Sequence, residues 1–568
     1  MKLINKLFLI ALVLGFTLSC ENTRLDLLEN PNAVTPENAS LNDLYNSIQL
    51  GFRNTYNSAQ GTPGAIARMY HLGGAFVYRG TVDQTTFNGL WNNAYAGLLP
   101  DVDALIALAD PNGFDIHAGS AKILKAYTLM VLVDLMGEVP NTEALQGTDV
   151  ISPPSDPGEN VYADAIALID EAVAQLSGTN AAAPAYDSFF DGDADSWIKF
   201  GNTLKLRAAL NTGDAGAINS LVSGGNIITA ADEDAAFNYG NTRTNPNSRH
   251  PFYNNHYEVG DGAYLSNYYM WLFIGEQEDV DGTDIVDPRA NYYFYRKIED
   301  AAAQDQTTYG CNESLLPDQS AAPDHWENFA DELPYCIVPN TGYSGRDHLN
   351  GQGIPPDGPI RTSYGLYPGG GQFDDASFED TRQGGSTGGL GQGILPVMIS
   401  PMVDLLRAEA ALTLGTNDDA RALLESGIRA SFAKAESFES LVSSTVNAIV
   451  IVRGEEVNIK ERYGITADKV DSYVDKVLAV YDAGDADTKL DLVVKELYKA
   501  SWGNGLEAYN AYRRTGKPNG IQPGLEVDFG DFPHTILYPD VHVNRNANVD
   551  QRDFADRVFW ADGALDLY

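Results

Sequence analysis

Residues 400–432, SPMVDLLRAEAALTLGTNDDARALLESGIRASF, carry two apolar stripes at helical period with almost no chain between them, which dictates an antiparallel helix hairpin. Ser400 is placed to cap the first helix, Pro401 suits its first turn and Gly415 suits its end. Met402, Leu405, Leu406 and Leu412 share a face that Glu409 interrupts. Asn417 is the candidate cap of the second helix, Asp418 and Asp419 favour its positive end, and Leu423, Leu424 and Ile428 turn inward. The unit has about the length of one tetratricopeptide repeat. No repeated consensus accompanies it, so the repeat reading rests on architecture.

The same periodicity predicts helices over 41–56, 90–108, 118–136, 161–176, 197–211 and 489–513. Between Asn238 and Leu395 the text changes, and after Phe294 helical periodicity is largely lost while Gly, Pro, Tyr and Asp accumulate, as in GQGIPPDGPIRTSYGLYPGGGQFDD. A loop region of that length is functional or disordered, and its many aromatic residues argue for an ordered, functional one.

Lys2 and Lys6 precede an apolar run, 7–14, that is too short for a bilayer span of about 20 residues and leads to Ser19 and Cys20. This is the layout of an export signal cut before Cys20, whose thiol then carries a lipid. The order Thr17, Leu18, Ser19, Cys20 resembles a lipobox with Thr17 in place of the usual Leu, and an ordinary signal with an incidental Cys20 is the alternative. The two remaining cysteines, Cys311 and Cys336, are expected to pair across 25 positions (336 − 311), a closure worth about 3 kcal/mol, with two free thiols as the alternative.

Charge narrows the partners. With 37 basic and 78 acidic side chains the net charge is −41, which repels phosphate backbones and anionic lipid, so neither nucleic acid nor a bare membrane surface is expected to bind. Catalytic signatures are lacking: His250, His256, His325 and His348 lie outside any HExxH spacing, no GxSxG elbow or phosphate loop occurs, and no carboxylate pair stands out. Asp191, Asp193 and Asp195 imitate a calcium loop but lack Gly at its sixth place and Glu at its twelfth, so a turn with Ser196 capping the next helix is expected. No cofactor or metal is called for. The 30 Tyr, 22 Phe and 6 Trp, many in Gly-rich text, instead offer flat faces with polar rims suited to sugar rings or extended peptides.

Several stretches in order resemble the SusD/RagB family of surface nutrient-binding lipoproteins: the signal ending at Cys20, WNNAYAGLLPDVDALI, YDSFFDGDADSWIKFGNTLKLRAAL, DPRANYYF, ISPMVDLLRAEAALTLG, LEAYNAYRRTGKP and FPHTILYPD. The resemblance implies a mostly α fold of four tetratricopeptide-like helix pairs with an irregular half that forms a shallow ligand side. It implies a signal at 1–19, a lipidated tether at 20–36 and a single SusD-like domain at 37–568 with a loop-rich insertion at about 238–395. It further implies capture of oligosaccharide or polysaccharide, with a glucan as first guess, and delivery to a SusC-like TonB-dependent transporter, from an outer-membrane site reached through the lipid alone. Peptide capture and a lipid-anchored glycoside hydrolase are the alternatives. Trp91, Trp197, Arg207, Arg407 and Glu409 fall in packing motifs, with buried Arg and Glu expected to pair mutually. Tyr78, Trp326, Tyr343 and Tyr364 are the candidate stacking faces, and Arg79, Asp347 and His348 the candidate hydroxyl-binding groups. In a competing role, Arg346 and Asp347 brace the Gly-rich loop and Trp326 packs on the disulfide.

Overall fold

The computed structural model describes residues 40–178, 181–258, 262–299, 342–350, 361–381, 383–452, 454–524, 528–561, 565 and 567. Cys20, Cys311, Trp326 and Cys336 lie outside them. The longer helices are α1 (Leu41–Ile66), α2 (Leu99–Ala109), α3 (Asp115–Met136), α4 (Gly158–Leu176), α5 (Ala194–Thr212), α6 (Ala215–Gly224), α7 (Pro251–Tyr257), α8 (Asn267–Ile274), α9 (Ser400–Leu414), α10 (Ala420–Ser437), α11 (Ala467–Ala483), α12 (Ala486–Ala500) and α13 (Gly505–Thr515). Beside shorter helical turns, the described residues form three two-stranded antiparallel pairings: Ala235–Asn238 with Ile394–Met398, Phe294–Tyr295 with Ser363–Tyr364, and Ile449–Val452 with Glu455–Asn458. The fold is therefore mostly α.

Successive helices pack as neighbours: α2 on α3, α3 on α4, α4 on α5, then α9 on α10 and α11 on α12, while α9 touches α5 and α13 returns to α1. Helix α3 is long and apolar enough to cross a membrane, but it is the buried centre of the bundle and its apolar residues face protein on all sides.

Local caps depart from the sequence expectation by a residue or two. Asp419, not Asn417, caps α10 through the amides of Arg421 and Ala422, because the helix begins at Ala420 and so puts Asp419 at the cap position. Asp193, not Ser196, caps α5 and accepts from Ser196 N at 2.9 Å. Ser400 is the first residue of α9, and its amide donates to Asp234 Oδ1 at 2.6 Å. The helix expected over 489–513 is two: α12 ends at Ala500, Gly503 adopts φ +98°, a left-handed value that favours glycine, and Asn504 starts α13.

The expected mutual pairing among Arg207, Arg407 and Glu409 is also corrected: each pairs outside that set. Residues two apart on a helix point to different sides, so Arg407 pairs with Asp418 at 2.8 Å while Glu409 pairs with Arg514 at 2.7 Å. Arg207 is fully buried and holds Asp134 at 2.6 Å and Glu507 at 2.5 Å, which ties α3, α5 and α13 together. In the DPRANYYF stretch, Arg289 is likewise buried between Asp287 at 2.6 Å and Glu496 at 2.7 Å. Trp197 donates to Asp187 at 2.7 Å and Trp91 stacks on His542 at a centroid distance of 4.0 Å, both as scaffold.

Helices α1 and α13 meet through glycine. A Cβ on Gly505 would lie 2.4 Å from Gly64 Cα and 2.5 Å from Gln60 O, backbone atoms that cannot turn aside. Gly505→Ala is therefore expected to cost about 1–3 kcal/mol of stability, read as a lower urea midpoint at unchanged slope. Gly61→Ala on the same helix, where a Cβ meets open space, should cost nothing.

Candidate functional site

The loop-rich half is pinned to the helices by backbone. After α1 the chain runs through Arg68, in the left-handed region at φ +63°, to a bridge between Tyr70 and Leu265. Ser266 bridges Arg346, Arg346 N donates to Leu265 O at 2.9 Å, and Leu349 N donates to Leu72 O at 2.8 Å. Three loops, 67–78, 262–267 and 342–350, thereby form one face. Gly345 is obligatory there, since a Cβ would lie 2.3 Å from Leu265 O.

Behind this face sits a buried polar cluster. Asp347 Oδ1 accepts from Gln522 Nε2 at 2.8 Å and from Asn267 Nδ2 at 3.4 Å. Gln522 Oε1 in turn accepts from His348 N at 3.0 Å, and its carbonyl accepts from Arg68 Nε at 2.7 Å. His348 Nε2 hydrogen-bonds Tyr78 OH at 2.9 Å. Burial raises the Asp347 carboxyl to about 6, against the hydrogen bonds from Gln522 and Asn267 and the nearby Arg346 charge, which lower it. Burial, with Arg68 and His71 adding, holds the His348 imidazole well below its ordinary value, so it is neutral at pH 7.

The structure thus brings Tyr78, Asp347 and His348 together, as the base of the face rather than its surface. Tyr78 is 0 % exposed, Asp347 3 % and His348 2 %, and they exchange hydrogen bonds with one another's neighbours. The bracing role weighed for Asp347 fits this placement. Tyr343, 4 % exposed, lies under the Arg296 guanidinium at 5.1 Å, and Tyr364, 6 % exposed, is stacked on Phe252 at 4.1 Å and on Trp502 at 5.3 Å. As stacking surfaces these three tyrosines are corrected: all three are buried, Tyr364 between aromatic rings, Tyr343 beneath a guanidinium and Tyr78 among His348, Phe529 and Phe532. Arg79 stands apart on the exterior, its side chain 57 % exposed and paired with Asp553 at 2.7 Å.

Sequence reasoning missed the residues at the front of the face. Tyr264 is half-buried, with Arg361 Cζ 3.7 Å from its ring centroid, Arg346 Cζ at 4.6 Å and Arg346 Nη2 donating to its hydroxyl at 3.1 Å. His71 meets the same ring edge-on at 5.7 Å and contacts Asn350 O at 3.1 Å. Its imidazole is lowered to about 4, first by burial and then by Arg346 and Arg361, and so is uncharged at neutral pH. Phe76, also half-buried, takes φ +62°, a strained backbone for a large side chain and of the kind that clusters at binding sites. The signal that would have found them is the paired glycine run, Gly73–Gly74 before Phe76 and Gly262 before Tyr264, since glycine lets a loop turn an aromatic residue outward. Among the described residues no three His, Cys, Asp or Glu side chains group as metal ligands.

Comparison with known proteins agrees with this architecture. Residues 30–328 match a family model described as starch-binding and associating with the outer membrane, and residues 394–548 match one described as SusD and RagB outer-membrane lipoprotein. No curated protein sequence matches. Among solved structures, a SusD/RagB family protein from Bacteroides thetaiotaomicron superposes with a TM-score of 0.62 at 21 % identity, covering 93 % of this chain and 100 % of its own. A SusD-like protein of Bacteroidetes AC2a gives 0.63 at 18 % identity, over 92 % of this chain and 100 % of its own. A chitin-binding protein gives 0.62 at 17 % identity, again over 92 % and 100 %. With one family model spanning more than half of its residues and a second matching most of the remainder, the chain belongs to the SusD/RagB family of outer-membrane lipoproteins.

Proposed function

We propose that this protein captures oligosaccharide or polysaccharide on the face built by loops 67–78, 262–267 and 342–350, and passes it uncleaved to a SusC-like TonB-dependent transporter. Tyr264 carries the reading: a half-buried aromatic ring, held by two guanidinium groups and a neutral histidine, on a face whose backbone is fixed from behind. A half-buried aromatic ring with guanidinium groups over it offers its edge and their N–H donors, which suits a sugar whose rim carries hydroxyls. Family membership supports the nutrient-binding role, as does the description of one structural relative as chitin-binding. The one candidate carboxylate behind these loops, Asp347, is buried and engaged with amides, which suits a brace and not an acid catalyst. Lipid on Cys20 and the tether 20–36 would hold the face within reach of a transporter; a glucan remains the first ligand to try, with peptide as the alternative.

Native affinity electrophoresis through gels containing neutral and acidic polysaccharides, beside a peptide-mixture binding assay, tests this. One glycan should retard the protein, and Tyr264→Ala should weaken that retardation by about tenfold or more, the loss typical of a buried aromatic anchor. Retardation by none, with saturable peptide binding, would move the ligand to peptide; shortened glycan products would overturn capture without cleavage.

A further inference from the structure

A cleft of about 330 Å³ opens between the loop 372–388 and the segment 438–445, and it shares no residue with the Tyr264 face. Its volume is at the low end of small-molecule sites, room for one ring and not for a chain.

The walls are held from inside the core. Tyr257 OH accepts from Gln372 N at 2.9 Å, Tyr295 OH accepts from Glu379 N at 2.9 Å, and Tyr253 OH donates to Thr387 O at 2.8 Å. Three buried tyrosines thus fix the backbone of the three wall segments that carry the polar side chains.

Two of those side chains lack partners. Gln372 is 8 % exposed and its Oε1 is buried without a hydrogen-bond partner, and Thr387 Oγ1 is in the same condition. Both line the cleft, with the carboxylates of Asp375 and Glu379. A buried acceptor left unsatisfied costs free energy and calls for a ligand donor, for which hydroxyls serve.

The remaining lining selects the ligand class. Among the described residues of the cleft there is no Lys, Arg or His, so a uronate or sulfated sugar would bring its anion against Asp375 and Glu379 with no cation to offset it. Leu441, backed by the buried Phe373, adds an apolar wall that a bare cation has no use for. We propose that this cleft is a second carbohydrate site that takes one neutral pyranose ring. Asp375 and Glu379 accept from ring hydroxyls, the Gln372 and Thr387 side chains turn to bring their buried, unpartnered oxygens to the ligand, and the C–H face lies on Leu441.

The test is titration of the full chain in detergent with methyl glycosides of glucose, galactose and mannose, beside methyl glucuronide and calcium chloride, by calorimetry and saturation-transfer NMR. One neutral glycoside should bind at one site with millimolar affinity, and Glu379→Gln and Thr387→Val should each weaken it about tenfold. Glu379 is exposed and Thr387→Val conserves shape, so both variants should fold. Tyr264→Ala should leave this binding unchanged, so failure of the loop-face reading, seen with polysaccharide, is separable from failure here. Absence of saturation by any neutral glycoside up to about 50 mM, wild-type affinity in both variants, or preference for glucuronide or calcium would overturn the proposal.

Discussion

An Arg207→Met chain is expected to lose about 3–5 kcal/mol of stability at neutral pH, the cost of stripping the cation from a buried ion pair. Arg207 is fully buried, donates to Asp134 on α3 and to Glu507 on α13, and lies over the Tyr127 ring at 5.6 Å. The two carboxylates differ in what remains after its removal. Asp134 keeps Asn510 Nδ2 at 3.0 Å, Trp560 Nε1 at 3.1 Å and the Tyr162 hydroxyl. Glu507 keeps no hydrogen bond to its carboxylate among the described residues: Oε2 is already without a partner, and Arg514 acts on it through charge alone. The double variant Arg207→Met/Glu507→Gln should therefore recover part of the loss, because the stranded charge is gone. Urea unfolding measures both, and an unchanged midpoint in Arg207→Met would show that the pair does not hold these helices. Arg79→Met, which breaks a solvent-exposed pair with Asp553, should cause no measurable loss.

The second large effect is a pH dependence with a definite sign. Asp347 is raised to about 6 in the fold, above its ordinary value of 3.8, mainly because burial disfavours the charged form. The folded state therefore binds this proton more tightly than the unfolded chain. Its contribution is fully present below about pH 4, fades as pH rises towards 6 and is gone above that, a difference of about 3 kcal/mol for two pKa units. Asp347→Asn removes the titration while keeping an oxygen to accept from Gln522. The variant should be the more stable protein at pH 7.5, and the difference between variant and wild type should shrink on going to pH 4. Thermal melts across that range check it, and parallel curves at all pH values would rule out the buried carboxyl as the cause. The same experiment probes the face, because the Asp347 cluster holds the loops on which Tyr264 is carried.

The helical frame is legible in the amino-acid sequence. The 400–432 hairpin and the helices α1 to α5 follow from apolar period, proline and glycine, which act over a few residues and need no distant partner. Caps are less legible. Asp419 and Asn417, or Asp193 and Ser196, are chemically similar candidates two or three residues apart, and only the direction of the incoming chain chooses between them. The break between α12 and α13 is hidden because Trp502 and Leu506 continue the apolar text across Gly503.

The candidate site shows the limit most clearly. Tyr78, Tyr343 and Tyr364 stand in loop-like, glycine-rich text, where an aromatic ring reads as a binding surface, yet each is buried by partners far away in sequence, such as His348 for Tyr78 and Trp502 for Tyr364. Tyr264 stands in no motif and is nevertheless the ring at the front. Local sequence suffices to establish that this chain builds antiparallel helix pairs and which family it resembles, since helix period, turn chemistry and motif order all act at short range. Which aromatic rings face outward and which carboxylates are braced follows instead from packing across the whole fold. Burial is a property of the contacts a residue makes across the chain, and Asp347 meeting Gln522, or Arg207 meeting Glu507, brings together residues more than a hundred positions apart.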